Sequence, residues 1–180
     1  MHDLSLRDCR AGGVLHGVRF NDVSVHDLAS GERVSPFACV FRYVTLSGRI
    51  PRLMTRPAHS SLPAGVQEAF RDGAERFCAS VDRALDISAA KFSVAEFSVA
   101  AFSGVPGPLV HRDPKTQFLL HRDRAGTADA EGFSSRARSS LAKARTSPYP
   151  TPVVVAPTRS KYFKDMLQDP ESLRAAGIAE

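Results

Sequence analysis

Residues 84–104 read A-L-D-I-S-A-A-K-F-S-V-A-E-F-S-V-A-A-F-S-G. Ile87, Phe92, Phe97 and Phe102 recur every five residues. Two places before each stands Leu85, Ala90, Ala95 or Ala100, and just after each stands Ser88, Ser93, Ser98 or Ser103. A period of five suits neither common element. On a helix, five residues turn about 500°, so the large side chains would walk around the cylinder. On a flat strand, an odd spacing sends alternate members to opposite faces. All four reach one core only if the chain bends at every fifth residue, as in a coil of short strands stacked on further coils. The alanine column then fills the space beside each large side chain, and the serine column hydrogen-bonds at the corners.

The fives A-K-F-S-V, A-E-F-S-V and A-A-F-S-G resemble the pentapeptide-repeat proteins. The resemblance implies a short, right-handed, four-sided β-helix. Val94 and Val99 stand where that family usually has a polar residue, so a packed neighbour is expected over that column. Fives also mark the start of the chain. Leu15, Phe20 and Val25 form one column, preceded by Gly13, Val18 and Val23, and Phe41 and Leu46 continue it behind Cys39 and Val44. Between Val25 and Phe41 lies one residue more than three fives, placed by expectation in A-S-G-E-R. Residues 13–50 thus read as one and a half to two coils, and residues 87–102 as about one more.

An insertion separates the two blocks. Residues 50–63 run through three prolines and read as a loop. Residues 63–80 then read as a helix, opened by Pro63, with Val66, Phe70, Ala74, Phe77 and Val81 on one stripe and mostly charged residues opposite. That stripe is expected to cover the sheet or an open end of the stack.

After Gly104 the period stops. Residues 109–112 and 116–121 read as a β-hairpin around Asp113-Pro114-Lys115, and residues 124–132 as a flexible loop. Residues 133–145 read as a short basic helix and Val153-Val154-Val155 as a buried strand. Two closing helices follow, with Pro170 opening the second and Gly177 ending it. The expected architecture is therefore mainly β with helices. Residues 1–110 form a β-solenoid with an inserted helix, and residues 111–180 a hairpin and helical extension packed on the same domain.

Composition bounds function. The 180 residues carry a net charge of +5, of which +4 falls in residues 111–180. Apolar content of 43% suffices for a core. No apolar run approaches the ~20 residues that cross a bilayer. With no signal-peptide pattern at the start and three widely spaced cysteines, Cys9, Cys39 and Cys78, a cytoplasmic protein with reduced thiols and no membrane partner is expected.

The only pattern that suggests chemistry is a pair of triplets, His111-Arg112-Asp113 and His121-Arg122-Asp123. On neighbouring strands of a hairpin, two histidines and two carboxylates can form an acid–base pair or bind a divalent cation. A charged hairpin face with cross-strand ion pairs explains the same residues without chemistry. No phosphate loop, dinucleotide fingerprint, H-E-x-x-H or G-x-S-x-G is present, and neither a cofactor nor a metal is expected. Arg136, Arg138, Lys143, Arg145, Arg159, Lys161 and Lys164, near Tyr149, Tyr162 and Phe163, are a weak signal for nucleic acid. The leading expectation is a non-enzymatic module that binds another protein, such as an immunity or regulatory protein with a cognate bacterial partner. The alternatives are an enzyme or enzyme accessory working at residues 109–123, and a nucleic-acid binder. Duplex mimicry, which some pentapeptide-repeat proteins practise, needs an acidic surface that this chain lacks.

Overall fold

The first half of the chain is cut into short strands by left-handed corners. The computed structural model describes residues 4–29, 34–51, 53–93 and 100–180. Strands β1 (Leu4–Arg10), β2 (Gly13–His16), β3 (Arg19–Asn21), β4 (Val23–Ala29), β5 (Val34–Phe37), β6 (Val40–Arg42), β7 (Val44–Ile50) and β8 (Met54–Thr55) follow one another with no helix between them. Gly17, Asp22 and Asp27 have φ of 66°, 51° and 53°, and Ala38, Tyr43 and Gly48 have 49°, 53° and 67°. Both sets are spaced by five. Each corner lies two residues after a member of the apolar column: Leu15, Phe20 and Val25, then Pro36, Phe41 and Leu46. The bend is why an odd spacing still brings Phe20, Val25, Phe41 and Leu46 to one core. For a residue with a Cβ such a φ costs about 1–2 kcal/mol, so stacking must offset the strain at Ala38 and Tyr43.

The corners repeat because the strands stack in parallel. Leu15 faces Pro36, Phe20 faces Phe41 and Val25 faces Leu46, a step of 21 residues each time. The step carries the one extra residue expected between Val25 and Phe41, although residues 30–33 lie outside the described part. Further on, β9 (Leu85–Asp86) and β10 (Ala90–Phe92) both pair with β7, and β11 (Ala100–Phe102) pairs with β8. The architecture is mixed α/β with mainly parallel sheets and four helices among the described residues.

The decisive column is buried. Ile87, Phe92 and Phe102 are each 0% exposed and share one core with Phe41, Val44, Leu46 and Ile50. The Phe92 and Phe102 rings meet edge to face at 5.8 Å. Phe97, with Val94, Ala95, Ser98 and Val99, lies outside the described residues. The N-terminal fives are more open: Phe20 is half-buried on Phe41, and Leu15 is 40% exposed. The serines bond as expected, Ser93 Oγ to the Ile50 carbonyl at 3.4 Å and Ser103 Oγ to that of Thr55 at 3.1 Å.

Helix α1 (Ala64–Cys78) follows Pro63, inside the predicted 63–80. It lies along a flank of the sheets, where Phe70 meets the His16 ring at 5.1 Å and the Arg19 guanidinium sits 5.2 Å over Phe77. None of its residues is fully buried, and Val66 is 40% exposed.

The predicted hairpin does not form. Strand β12 (Val110–His111) joins the parallel sheet beside β9, whereas β13 (Gln117–Leu119) pairs antiparallel with β14 (Val153–Val155). Gln117 explains the divergence. Its side chain is 1% exposed, donates to the Ile87 carbonyl at 2.8 Å and accepts from Asp113 N at 2.9 Å, so β13 enters the core seam rather than folding back on β12. β14 also pairs antiparallel with β11. Val153 and Val155 enter the first core, and Val154 enters a second one built with Phe118, Leu141 and Leu173.

Three helices close that second core. In place of the expected loop over 124–132, α2 (Arg122–Thr127) buries Ala125 completely, and Arg145 Nε donates to the Ala125 carbonyl at 2.8 Å. Helix α3 (Ser135–Arg145) is capped by Ser134, whose Oγ accepts from Ala137 N. Helix α4 (Phe163–Ala175) runs straight through Pro170, where two helices were expected. Burial of Pro170 and Leu173, together with Asp169 held 2.7 Å from Arg136 Nε, offsets the missing backbone bond. Gly177 does end the helix, at φ 72°, with Gly177 N on the Arg174 carbonyl and Ile178 N on that of Leu173.

Candidate functional site

The two His-Arg-Asp triplets are parted by this topology. His111 Nδ1 lies 3.0 Å from Asp86 Oδ2, while Asp86 Oδ1 accepts from Ser88 Oγ at 2.7 Å. His111 is 61% exposed on the sheet surface. Arg112 Nη1 donates to the Gln117 carbonyl at 3.0 Å, and the Asp113 carboxylate closes a turn by accepting from Lys115 N and Thr116 Oγ1. His121, at the far end of β13, has Nε2 2.7 Å from Glu180 Oε1. Arg122 holds the carbonyls of Ser147 and Pro148, and Asp123 is 87% exposed. Each histidine thus faces its own carboxylate, and among the described residues no group of three or more His, Cys, Asp and Glu is placed to hold a metal. The basic cluster is similarly dispersed: Arg136 pairs with Asp169, and Arg145 caps α2.

The structure concentrates unusual chemistry elsewhere, in a cleft of about 190 Å³ between α1, the β5–β8 edge and residues 148–149. Its base is Arg56. That residue is bridged in parallel to Phe37; its N–H donates to the Pro36 carbonyl and its carbonyl accepts from Ala38 N, both at 2.9 Å. Gly104 makes this approach possible, since a Cβ there would stand 2.8 Å from the Arg56 backbone. The guanidinium sits 5.6 Å over the Phe37 ring, whose edge also meets His59 at 5.2 Å. Phe70, Ala74, Pro57 and Pro148 give apolar walls.

Both thiols at this flank and the Tyr149 phenol are held neutral. Burial pushes the Cys39 thiol up, against hydrogen bonds from the Val18 and Gly17 backbone, and burial likewise raises Cys78 despite its bond to Tyr149. Tyr149 is raised by burial first and then by Cys78 and Glu75. A second cleft, of about 420 Å³, is polar and balanced: Asp8 and Asp27 line it with Arg49 and Arg159, and Asp27 accepts from both Arg49 N at 2.6 Å and Arg49 Nη2 at 3.2 Å.

A third feature is the edge formed by β1, β2 and β3 among the described residues. β1 ends the six-stranded sheet, and β2 and β3 are the outer strands of theirs. Leu4, Val14 and Leu15 are 39%, 67% and 40% exposed there.

No family model, no curated protein and no solved structure matches this chain. Arg56 was missed in the sequence because it sits in a proline-rich loop with no periodicity. The one signal there is Arg56-Pro57 beside His59, in the segment that returns the chain to the sheet before α1. No helix among the described residues is long and apolar enough to cross a membrane.

Proposed function

We propose that the chain is a non-catalytic protein-binding module, built on a short right-handed, four-sided β-helix and acting as an immunity or regulatory protein toward a cognate bacterial partner. Support for the winding comes from the common step of 21 residues in three separate ladders and from the left-handed corners spaced by five at Gly17, Asp22 and Asp27 and at Ala38, Tyr43 and Gly48. The observation that carries the binding reading is the unfinished end. Three strands in succession leave one edge without a neighbour among the described residues, and Leu4, Val14 and Leu15 stand exposed on them. Unpaired strand edges take up an added strand, with main-chain bonds supplying affinity and side chains supplying specificity. Arg7, Arg10 and Arg19 lie on these strands against Asp8, so the partner presents an acidic edge.

The test is co-purification from the native bacterium with wild-type protein and with the triple variant Leu4→Lys, Val14→Lys, Leu15→Lys, folding being checked by circular dichroism. A stoichiometric, salt-sensitive partner on wild type that is lost from the folded variant supports the reading. Equal recovery on both proteins, or none on wild type over repeated trials, refutes it.

A further inference from the structure

We propose that the cleft between α1 and the β5–β8 edge binds a small organic monocarboxylate, with Arg56 as its anchor. The charge inventory points to an anion. Two arginines line the cleft and no aspartate or glutamate does. Arg71 is already neutralised, its Nη2 lying 3.1 Å from Glu68 Oε1 and its Nε 3.7 Å from Asp72 Oδ1. Arg56 has no carboxylate among the described residues. The hydrogen bond of its guanidinium runs from Nη2 to Met54 Sδ at 3.8 Å, and sulfur is a weak acceptor. Arg56 is half-buried at the cleft, and the donors its guanidinium leaves open there are the fork that a bidentate anion engages.

The rest of the cleft narrows the ligand class. Cys39 and Tyr149 are held neutral, so one unpaired positive charge remains and a monoanion matches it. The Arg56 fork is held in place: its backbone N–H and carbonyl bond to Pro36 and Ala38 respectively, and the guanidinium sits 5.6 Å from the Phe37 ring centroid. A planar carboxylate fits such a fork edge-on. The walls formed by Pro57, Phe70, Ala74 and Pro148 suit an apolar body. The volume of about 190 Å³ falls below the roughly 300–1,000 Å³ of sites for drug-sized ligands, which excludes a nucleotide and selects a compact acid. This site is separate from the open strand end, so its test stands apart from the partner reading.

The experiment is saturation-transfer NMR and calorimetry on the full chain with benzoate, its neutral isostere benzamide, and inorganic phosphate. Benzoate should bind saturably, with benzamide and phosphate each at least ~10-fold weaker. Arg56→Gln should weaken benzoate at least ~10-fold, while Arg71→Gln stays within about 2-fold. Absence of saturable benzoate binding, equal binding of benzamide or phosphate, or an unchanged affinity in Arg56→Gln overturns the proposal. Should Arg56→Gln lose its cooperative melt, Ala74→Phe decides: it fills the cleft from α1 and leaves Arg56 in place. Loss of benzoate binding in that folded variant supports the site, and undiminished binding overturns it.

Discussion

Replacing Phe92 by alanine tests the geometry on which the whole fold rests. Phe92 is 0% exposed, belongs to the first core and meets Phe102 edge to face at 5.8 Å. Truncating a fully buried phenylalanine costs about 3–5 kcal/mol, of which the aromatic pair contributes about 0.5–1.5. For a chain of 180 residues that lowers Tm by roughly 6–20 °C. Phe20→Ala is the internal comparison. It belongs to the N-terminal set of fives and stacks on Phe41 at 5.3 Å, but it lies in the outermost strand layer and is only half-buried, whereas Phe92 faces Ile50 in another ladder. Its loss should cost about half as much or less, because the surrounding site is already open to water. Urea melts should show a lower midpoint for Phe92→Ala with an unchanged slope, the sign of a stability change without a change in the surface exposed. A double-mutant cycle with Phe102→Ala should return a coupling of about 0.5–1.5 kcal/mol. If Phe92→Ala costs less than about 1 kcal/mol, or less than Phe20→Ala, the bend at every fifth residue is not what gathers this core.

Two glycines at positive φ separate strain from crowding. Gly177→Ala meets nothing within 4 Å at φ 72°, so only the backbone penalty of about 1–2 kcal/mol should appear in a thermal melt. Gly48→Ala, at φ 67°, should cost more than that, since its Cβ would collide with the Asp27 carboxylate that holds Arg49; equal losses at the two sites would discount the collision. A pH series addresses Asp86. Burial pushes its carboxyl up, but hydrogen bonds from His111 and Ser88 together outweigh that and leave it below the ordinary value of 3.8. A lowered value in the folded state means stability that is present above 3.8 and lost as pH falls through the folded value. Asp86→Asn should therefore be less stable than wild type near neutrality and converge on it in acid; a gap that persists unchanged to the lowest pH would contradict the assigned bonds.

What the sequence revealed and what it hid divide along the range of the forces involved. The column through Ile87, Phe92 and Phe102, helix α1, α3, the buried β14 and the stop at Gly177 are written in short-range spacings along the chain, where periodicity and turn chemistry act locally. The corners were half legible. Glycine marks Gly17 and Gly48, but nothing about Ala38 or Tyr43 announces a positive φ, because their strain is carried by the strand layers on either side. The failed hairpin was decided at a distance. Two strands with a turn residue between them ordinarily pair, yet β14, more than thirty residues downstream, offers Phe118 a place in the second core, and the Ile87 carbonyl, 30 residues upstream, accepts the buried Gln117 amide. The same choice undid the proposed histidine pair, since His111 and His121 share a site only if β12 and β13 share a ladder. It also produced the cleft. Because residues 146–152 must run back to deliver β14 to β11, Pro148 and Tyr149 pass beside α1 and roof the space over Arg56. A buried glutamine thus costs the chain one candidate site and, through the return path it imposes, encloses another.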